Sequence, residues 1–182
     1  MIAMGIDLGR PGAAVVLTDY TAGKPLCIAR LTIPVKINDY DYQRGIARLM
    51  REHKPDIVAA ERPGHWGRAI IGLSQARCDS LARASAQAMQ IAYVNFEPVS
   101  VKCALGCSRT APKDQVARAV MALVQIEPGD QHLMDAAAIA LLALKGKREK
   151  PRGRRRTGSR HVGSPEMPAR GKKVWHDQAE SP

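Results

Sequence analysis

A chain of 182 residues is one ordinary domain with room for an extension. No apolar stretch reaches the roughly 18–20 residues that crossing a bilayer needs, and Met1 leads straight into a strand-like run with no basic segment or cleavage site, so neither a membrane span nor a targeting segment is expected. The net charge of +11 is uneven: from Lys145 onward 12 Lys and Arg face 4 Asp and Glu, leaving only +3 for residues 1–144, which points to a polyanionic partner.

In chain order, strand-like runs cover Ile2–Asp7, Ala13–Thr18 and Leu26–Pro34, separated by the turn signals "GRPG" and "YTAGKP". They predict a three-stranded antiparallel meander. Ile46, Leu49, Met50 and His53 then recur at helical spacing, and Pro55 ends that helix. A strand at Asp56–Glu61 precedes a long helix over about Arg68–Gln90, and a strand at Ile91–Phe96 precedes helices over about Pro112–Ile126 and Gln131–Leu144. The order β-β-β-α-β-α-β-α-α implies an α/β fold. Its five-stranded mixed sheet has three antiparallel and then parallel strands, with helices on both faces. Such sheets bind ligands at the carboxyl ends of their strands. Residues 1–145 are expected to form this domain. Residues 146–182, basic and poor in apolar side chains, are expected to stay unstructured until they meet phosphate.

Cys27, Cys78, Cys103 and Cys107 lack paired CxxC spacing. They read as reduced, mostly buried thiols of a cytoplasmic protein rather than as a zinc site.

Two places put acids where burial is expected. Asp7 ends the first strand and is followed by a glycine turn, and Glu61 ends the fourth. For Asp7 three readings stand open: "GIDLG" cradles the phosphates of a nucleotide, Asp7 holds a metal ion that cuts nucleic acid, or Asp7 merely caps the turn. The second place is "GDQHLMDAAAIALLALKG". From Ala136 to Leu144 no side chain is polar, so this helix is apolar around its circumference and buried. His132 and Asp135 share one of its faces. With Asp130 as the cap, Asp135 lies beyond the turn where the helix dipole helps most. An ionised carboxylate there costs several kcal/mol unless it is paired or bound to metal. If Asp7, Glu61, His132 and Asp135 converge, they cannot all hold their charges without a cation. Hard oxygen donors favour Mg²⁺ or Mn²⁺, and two such ions suit in-line phosphodiester cleavage.

The pieces "GIDLG", "DIVAAERPG", "LSQARCDSLARA", "VKCALGCSRTAPKDQV" and "HLMDAAAIALLAL", in this order over roughly residues 2–144, resemble the RuvC-type Holliday junction resolvases of the ribonuclease H-like superfamily. The resemblance favours the metal reading of Asp7. Nothing in the chain looks like the adenosine-binding half of an ATPase, and no nucleotide cofactor is expected. It implies a Mg²⁺-dependent endodeoxyribonuclease that makes paired nicks in four-way junction DNA, with two ions held by Asp7, Glu61, His132 and Asp135. By the same resemblance Lys102 and Lys113 stabilise the phosphate. Trp66, in the loop "RPGHWGRA", would stack on an unpaired base, with Arg62 and Arg68 as phosphate contacts. The long helix, rich in small residues such as Ala76, Cys78, Ala82 and Ala86, would help form a homodimer. Two features depart from the family pattern: Leu8 stands where a proline is usual after the first acid, and the basic segment is long. A YqgF-like nuclease acting on RNA and a non-catalytic architectural DNA-binding protein are the rival readings.

Overall fold

A computed structural model describes residues 1–19, 23–63 and 69–146. Strands β1 (Ile2–Asp7), β2 (Gly12–Thr18) and β3 (Leu26–Ile33) precede helix α1 (Asp39–His53). Then come β4 (Ile57–Glu61), α2 (Ala69–Ala88), β5 (Ala92–Phe96), α3 (Pro98–Ala104), α4 (Lys113–Leu123) and α5 (Gln131–Gly146). The sheet order is β3-β2-β1-β4-β5, with β2 antiparallel to both of its neighbours. β1 runs parallel to β4, and β4 to β5. The meander, the parallel half and the mixed five-stranded sheet agree with the sequence reading. No helix among the described residues is long and apolar enough to cross a membrane.

Two expectations fail. "PVSVKCA" after β5 forms α3, which has Pro98 in its first turn. Seven residues with one buried position, Val101, give no periodicity to read. The cysteines are free, but only Cys78 is buried; Cys103 is exposed, and Cys27 and Cys107 are half-buried.

Alternation along β1 and β4 divides the core in two. Ala3, Ala13, Val15, Leu17, Ile57 and Ala59 face α3, α4 and α5. Met4, Ile6, Ala14, Val16, Val58 and Ala60 face α1 and α2, where Tyr42, Ile46, Met50, Cys78 and Ala82 close the packing. α1 starts where the Asn38 side chain accepts from the Asp41 N–H at 2.8 Å and ends at Lys54, in left-handed conformation just before Pro55. α5 starts where Asp130 Oδ1 accepts from the Leu133 N–H at 2.9 Å. Ten of its residues are buried, as expected of a helix apolar all round.

α5 lies on β1 with almost no gap. A Cβ on Gly5 would stand 2.1 Å from the Ala136 carbonyl oxygen and 2.5 Å from the Ala140 nitrogen. Only a residue without a side chain lets the helix backbone rest there. Gly5→Ala must therefore lift α5. We expect a loss of about 3 kcal/mol in urea unfolding, at the upper end for an overpacked core, and a Tm lower by roughly 6–12 °C for a domain of this size.

Candidate active site

The same alternation that separates the two cores aims the acids. Ala3, Gly5 and Asp7 share the α5 face of β1, and Ile57, Ala59 and Glu61 share that face of β4. Because Ile6 pairs with Ala60 in parallel register, Asp7 and Glu61 leave the sheet side by side at its carboxyl edge. Gly5 lies against Ala136, so the first turn of α5 delivers His132 and Asp135 to the same edge.

The result is one cleft of about 600 Å³, lined by Asp7, Glu61, His132, Asp135, Lys102 and Lys113 together with residues of the Leu8–Pro11 turn and of α2. Asp7 Oδ2 lies 2.6 Å from His132 Nδ1. Asp135 accepts from Gln131 Nε2 at 3.1 Å and faces Lys113 Nζ at 3.8 Å. Lys102 Nζ donates to the Ala111 carbonyl at 2.9 Å, which ties the end of α3 to the segment before α4. The Glu61 carboxylate has no hydrogen-bond partner among the described residues.

Electrostatics follow from these partners. Burial raises the Asp7 carboxyl above its ordinary range; the His132 hydrogen bond offsets part of this, and Asp135 adds to it. Glu61, lacking such a partner, is pushed up to about 7 by burial and then by the charges of Asp7 and Asp135. Three carboxyls thus compete for charge in one cleft.

The donor set fits a divalent cation in kind: three hard carboxylates and an imidazole, with a Glu whose ionisation a cation would restore. Among the described residues no three His, Cys, Asp or Glu side chains are arranged to grip a metal, although Asp7 and His132 already touch. Arg62 stands outside the cleft, exposed and paired with Glu97 at 2.6 Å. Trp66, Arg68 and the basic segment beyond Gly146 lie outside the described residues. Arg10, in the "GRPG" turn, and Ser74 and Gln75 of α2 also line the cleft. The sequence alone assigns them no role; the one available signal is an arginine three residues beyond an acid at a strand's end.

The mixed sheet β3-β2-β1-β4-β5 with helices on both faces is the ribonuclease H-like fold, and the acids gather at the carboxyl edge of its parallel half. Comparisons with known proteins narrow the class. The family described as Crossover junction endodeoxyribonuclease RuvC matches residues 3–143. The chain is 30% identical over 152 residues to the RuvC crossover junction endodeoxyribonuclease of Streptomyces griseus, covering 78% of this chain and 74% of that one. Against the protein of that name from Chromohalobacter salexigens the figures are 29% over 171 residues, 87% and 91%. The solved structure of Thermus thermophilus RuvC with Holliday junction substrate shares the fold, with a TM-score of 0.70 at 20% identity over 81% of this chain and 96% of that one. The chain belongs to the RuvC family of crossover junction endodeoxyribonucleases, enzymes of divalent-metal catalysis.

The Glu61 shift has a measurable consequence. Against an ordinary value of 4.5, a folded value of about 7 means that the unfolded chain releases this proton first as pH rises. The metal-free fold therefore loses stability between those two values and keeps the deficit above them, on the order of 3 kcal/mol. Glu61→Gln should stabilise the metal-free protein by about 2 kcal/mol at pH 8 and have little effect at pH 4. In the wild type, Mg²⁺ should raise Tm more at pH 8 than at pH 6, because protons compete for the same carboxylate. Equal metal-dependent shifts at both pH values would contradict the assignment.

Proposed function

We infer that the protein resolves four-way DNA junctions by paired nicks, as a metal-dependent endodeoxyribonuclease. The observation that carries this reading is the meeting of Asp7, Glu61, His132 and Asp135 with Lys102 and Lys113 in one cleft, in a chain whose family match spans its whole sheet.

Asp7, Glu61, His132 and Asp135 are the ligands we propose for two Mg²⁺ ions, with Mn²⁺ able to substitute. Held by these side chains, the ions would supply water activation and charge neutralisation at the leaving oxygen. The side chains have separable tasks. Asp7 and Asp135, from a strand end and a helix start, fix the centre of the donor set. Glu61 gains its full charge when a cation is near. His132, now on Asp7, offers the one nitrogen donor. Lys113, 71% exposed and beside Asp135, can swing to a phosphate oxygen without crossing packed structure. Lys102 reaches the same phosphate by leaving the Ala111 carbonyl. Both supply positive charge where the transition state gathers negative charge.

Two symmetric cuts suit a homodimer; Cys78, Ala82 and Ala86 of α2 are buried in the core, so the proposed contact is the row of exposed small residues Ser80, Ala84 and Ala88 on the outer side of that helix. Trp66, Arg62 and Arg68 are proposed to meet the junction beside the cleft. The extension from residue 146, with its excess of Lys and Arg, is proposed to hold junction arms through phosphates. Free cysteines are in keeping with a reducing cytoplasm.

Asp7→Asn and Asp135→Asn should each bind a synthetic four-way junction with near wild-type affinity in gel shift. Both should nick it at least on the order of a thousandfold more slowly, the loss of about 4 kcal/mol of transition-state stabilisation. Undiminished nicking by either variant would refute the metal-ligand role of that aspartate. Cleavage by the wild type of structured RNA in preference to the junction would refute the substrate.

A further inference from the structure

The acids occupy the middle of the cleft, and its two walls belong to different halves of the core. Lys102 and Lys113 stand on the wall made by α3, α4 and α5, whose Val101, Ala111 and Val116 pack on one face of the sheet. The opposite wall is built on Leu8, Tyr42 and Cys78, from the other face. That wall carries cations too. Arg10, directly beyond β1, lines the cleft and pairs with Asp39 at the start of α1. Arg77 of α2 pairs with the other oxygen of the same carboxylate.

Two guanidiniums on one carboxylate leave one positive charge unneutralised. The Arg10 side chain is only 19% exposed and its carbon Cζ sits 5.7 Å from the Tyr42 ring centre, so its plane is held rather than free. Its Nε is buried with no hydrogen-bond partner among the described residues, and the guanidinium lies against the buried Cys78 thiol, so the side chain is anchored on its inner side. Arg77 is the reverse case, 69% exposed and open to solvent. Asp39 belongs to the first turn of a 15-residue helix, so it keeps favourable surroundings when an arginine turns away. The pair can therefore share itself with a second anion. Guanidinium forks match phosphate oxygens, and a DNA strand supplies them in series.

We propose that Arg10 and Arg77, with Asp39 between them, form a second phosphate subsite, which holds a backbone phosphodiester of the DNA strand on the wall opposite Lys102 and Lys113. The inference rests on the junction-resolvase reading above. It gives the cleft a cation on each side of its acids, so a strand crossing the carboxyl edge of the sheet is held at two points with the scissile bond between them. Asp39 tempers the subsite: it holds the arginines in place while the cleft is empty and weakens their grip on phosphate when DNA arrives.

The test is junction binding in EDTA, which prevents nicking, followed by fluorescence anisotropy across a salt series. Arg77→Gln and Arg10→Gln should each weaken binding roughly fivefold at 0.15 M salt, and should make the slope of log K against log salt shallower by about 0.9. Asp39→Asn should act in the opposite direction and tighten binding several-fold. A purely structural Arg10–Asp39–Arg77 cluster predicts that Asp39→Asn loosens the turn and weakens binding, so weakening there overturns the proposal. Wild-type affinity and slope in both arginine variants would overturn it as well. If Arg10→Gln lowers Tm, the exposed Arg77→Gln decides alone. Should the unmutated protein fail to bind and nick junctions, the functional reading falls first and the subsite with it; loss confined to the variants' behaviour leaves that reading standing.

Discussion

The close approach of α5 to β1 at Gly5 is the constraint on which the rest depends. Helix and strand meet backbone to side, with Ala136 and Ala140 against a residue that has no side chain of its own. At the usual separation of a helix packed through larger residues, Asp7 would not reach His132. At this one they meet at 2.6 Å. The alanines of α5 serve the same end. Ala136 and Ala140 keep the helix thin where it lies on Gly5, while the larger Leu133, Ile139, Leu141 and Leu144 fill the rest of the core around it. The alanine-rich sequence is therefore a spacing device as well as a core, and it sets distances at the cleft several residues away.

Parity does the remaining placement. A strand that carried its acid one residue earlier or later would aim it at α1 and α2 instead. Parallel pairing of β1 with β4 brings two strand ends to the same edge, which an antiparallel pair cannot do. The fold thus concentrates negative charge at one place by backbone geometry alone, and it must then balance that charge. Lys113 and Gln131 answer Asp135, and His132 answers Asp7. Arginines held by Asp39 flank the opposite wall. Cations thus rim the acids on both sides, as an approaching polyanionic strand would require.

Much of this is legible from residues alone. The strands β1, β2 and β4 announce themselves by small apolar runs ending in turn signals, and α5 by an apolar circumference interrupted at His132 and Asp135. The acids stand out because they contradict their surroundings, and a contradiction of that kind is readable without a structure. Lys102 can be placed beside the site, but the helix that carries it cannot be seen, because seven residues hold too few turns to show a period. Arg10 is hidden for a different reason. An arginine in a turn has no local pattern to violate, and its significance comes from Asp39 and Tyr42, some thirty residues away, which only the packing of α1 on the sheet brings to it. The exposed Cys103 is misjudged together with α3: the apolar look of "VSVKCALG" suggests burial, while a short helix on the surface buries Val101 and turns Cys103, two residues on, outward.

Glu61 shows why such a centre sits on an otherwise rigid sheet. Asp7 and Asp135 each have a local partner that tolerates their charge, whereas among the described residues Glu61 has burial and two like charges for company. Its backbone nevertheless cannot move away, because β4 is held on both sides, by β1 and by β5. A carboxyl kept in an unfavourable place by hydrogen bonds it does not itself make is poised to gain from a cation, and that gain is larger than for an acid already satisfied. If Glu61 is the ligand proposed above, the same rigidity would send that gain into binding the ion rather than into rearranging the chain. Stability given up by the free protein would then become affinity for the ion, and the strand ladder would prevent the fold from escaping that exchange.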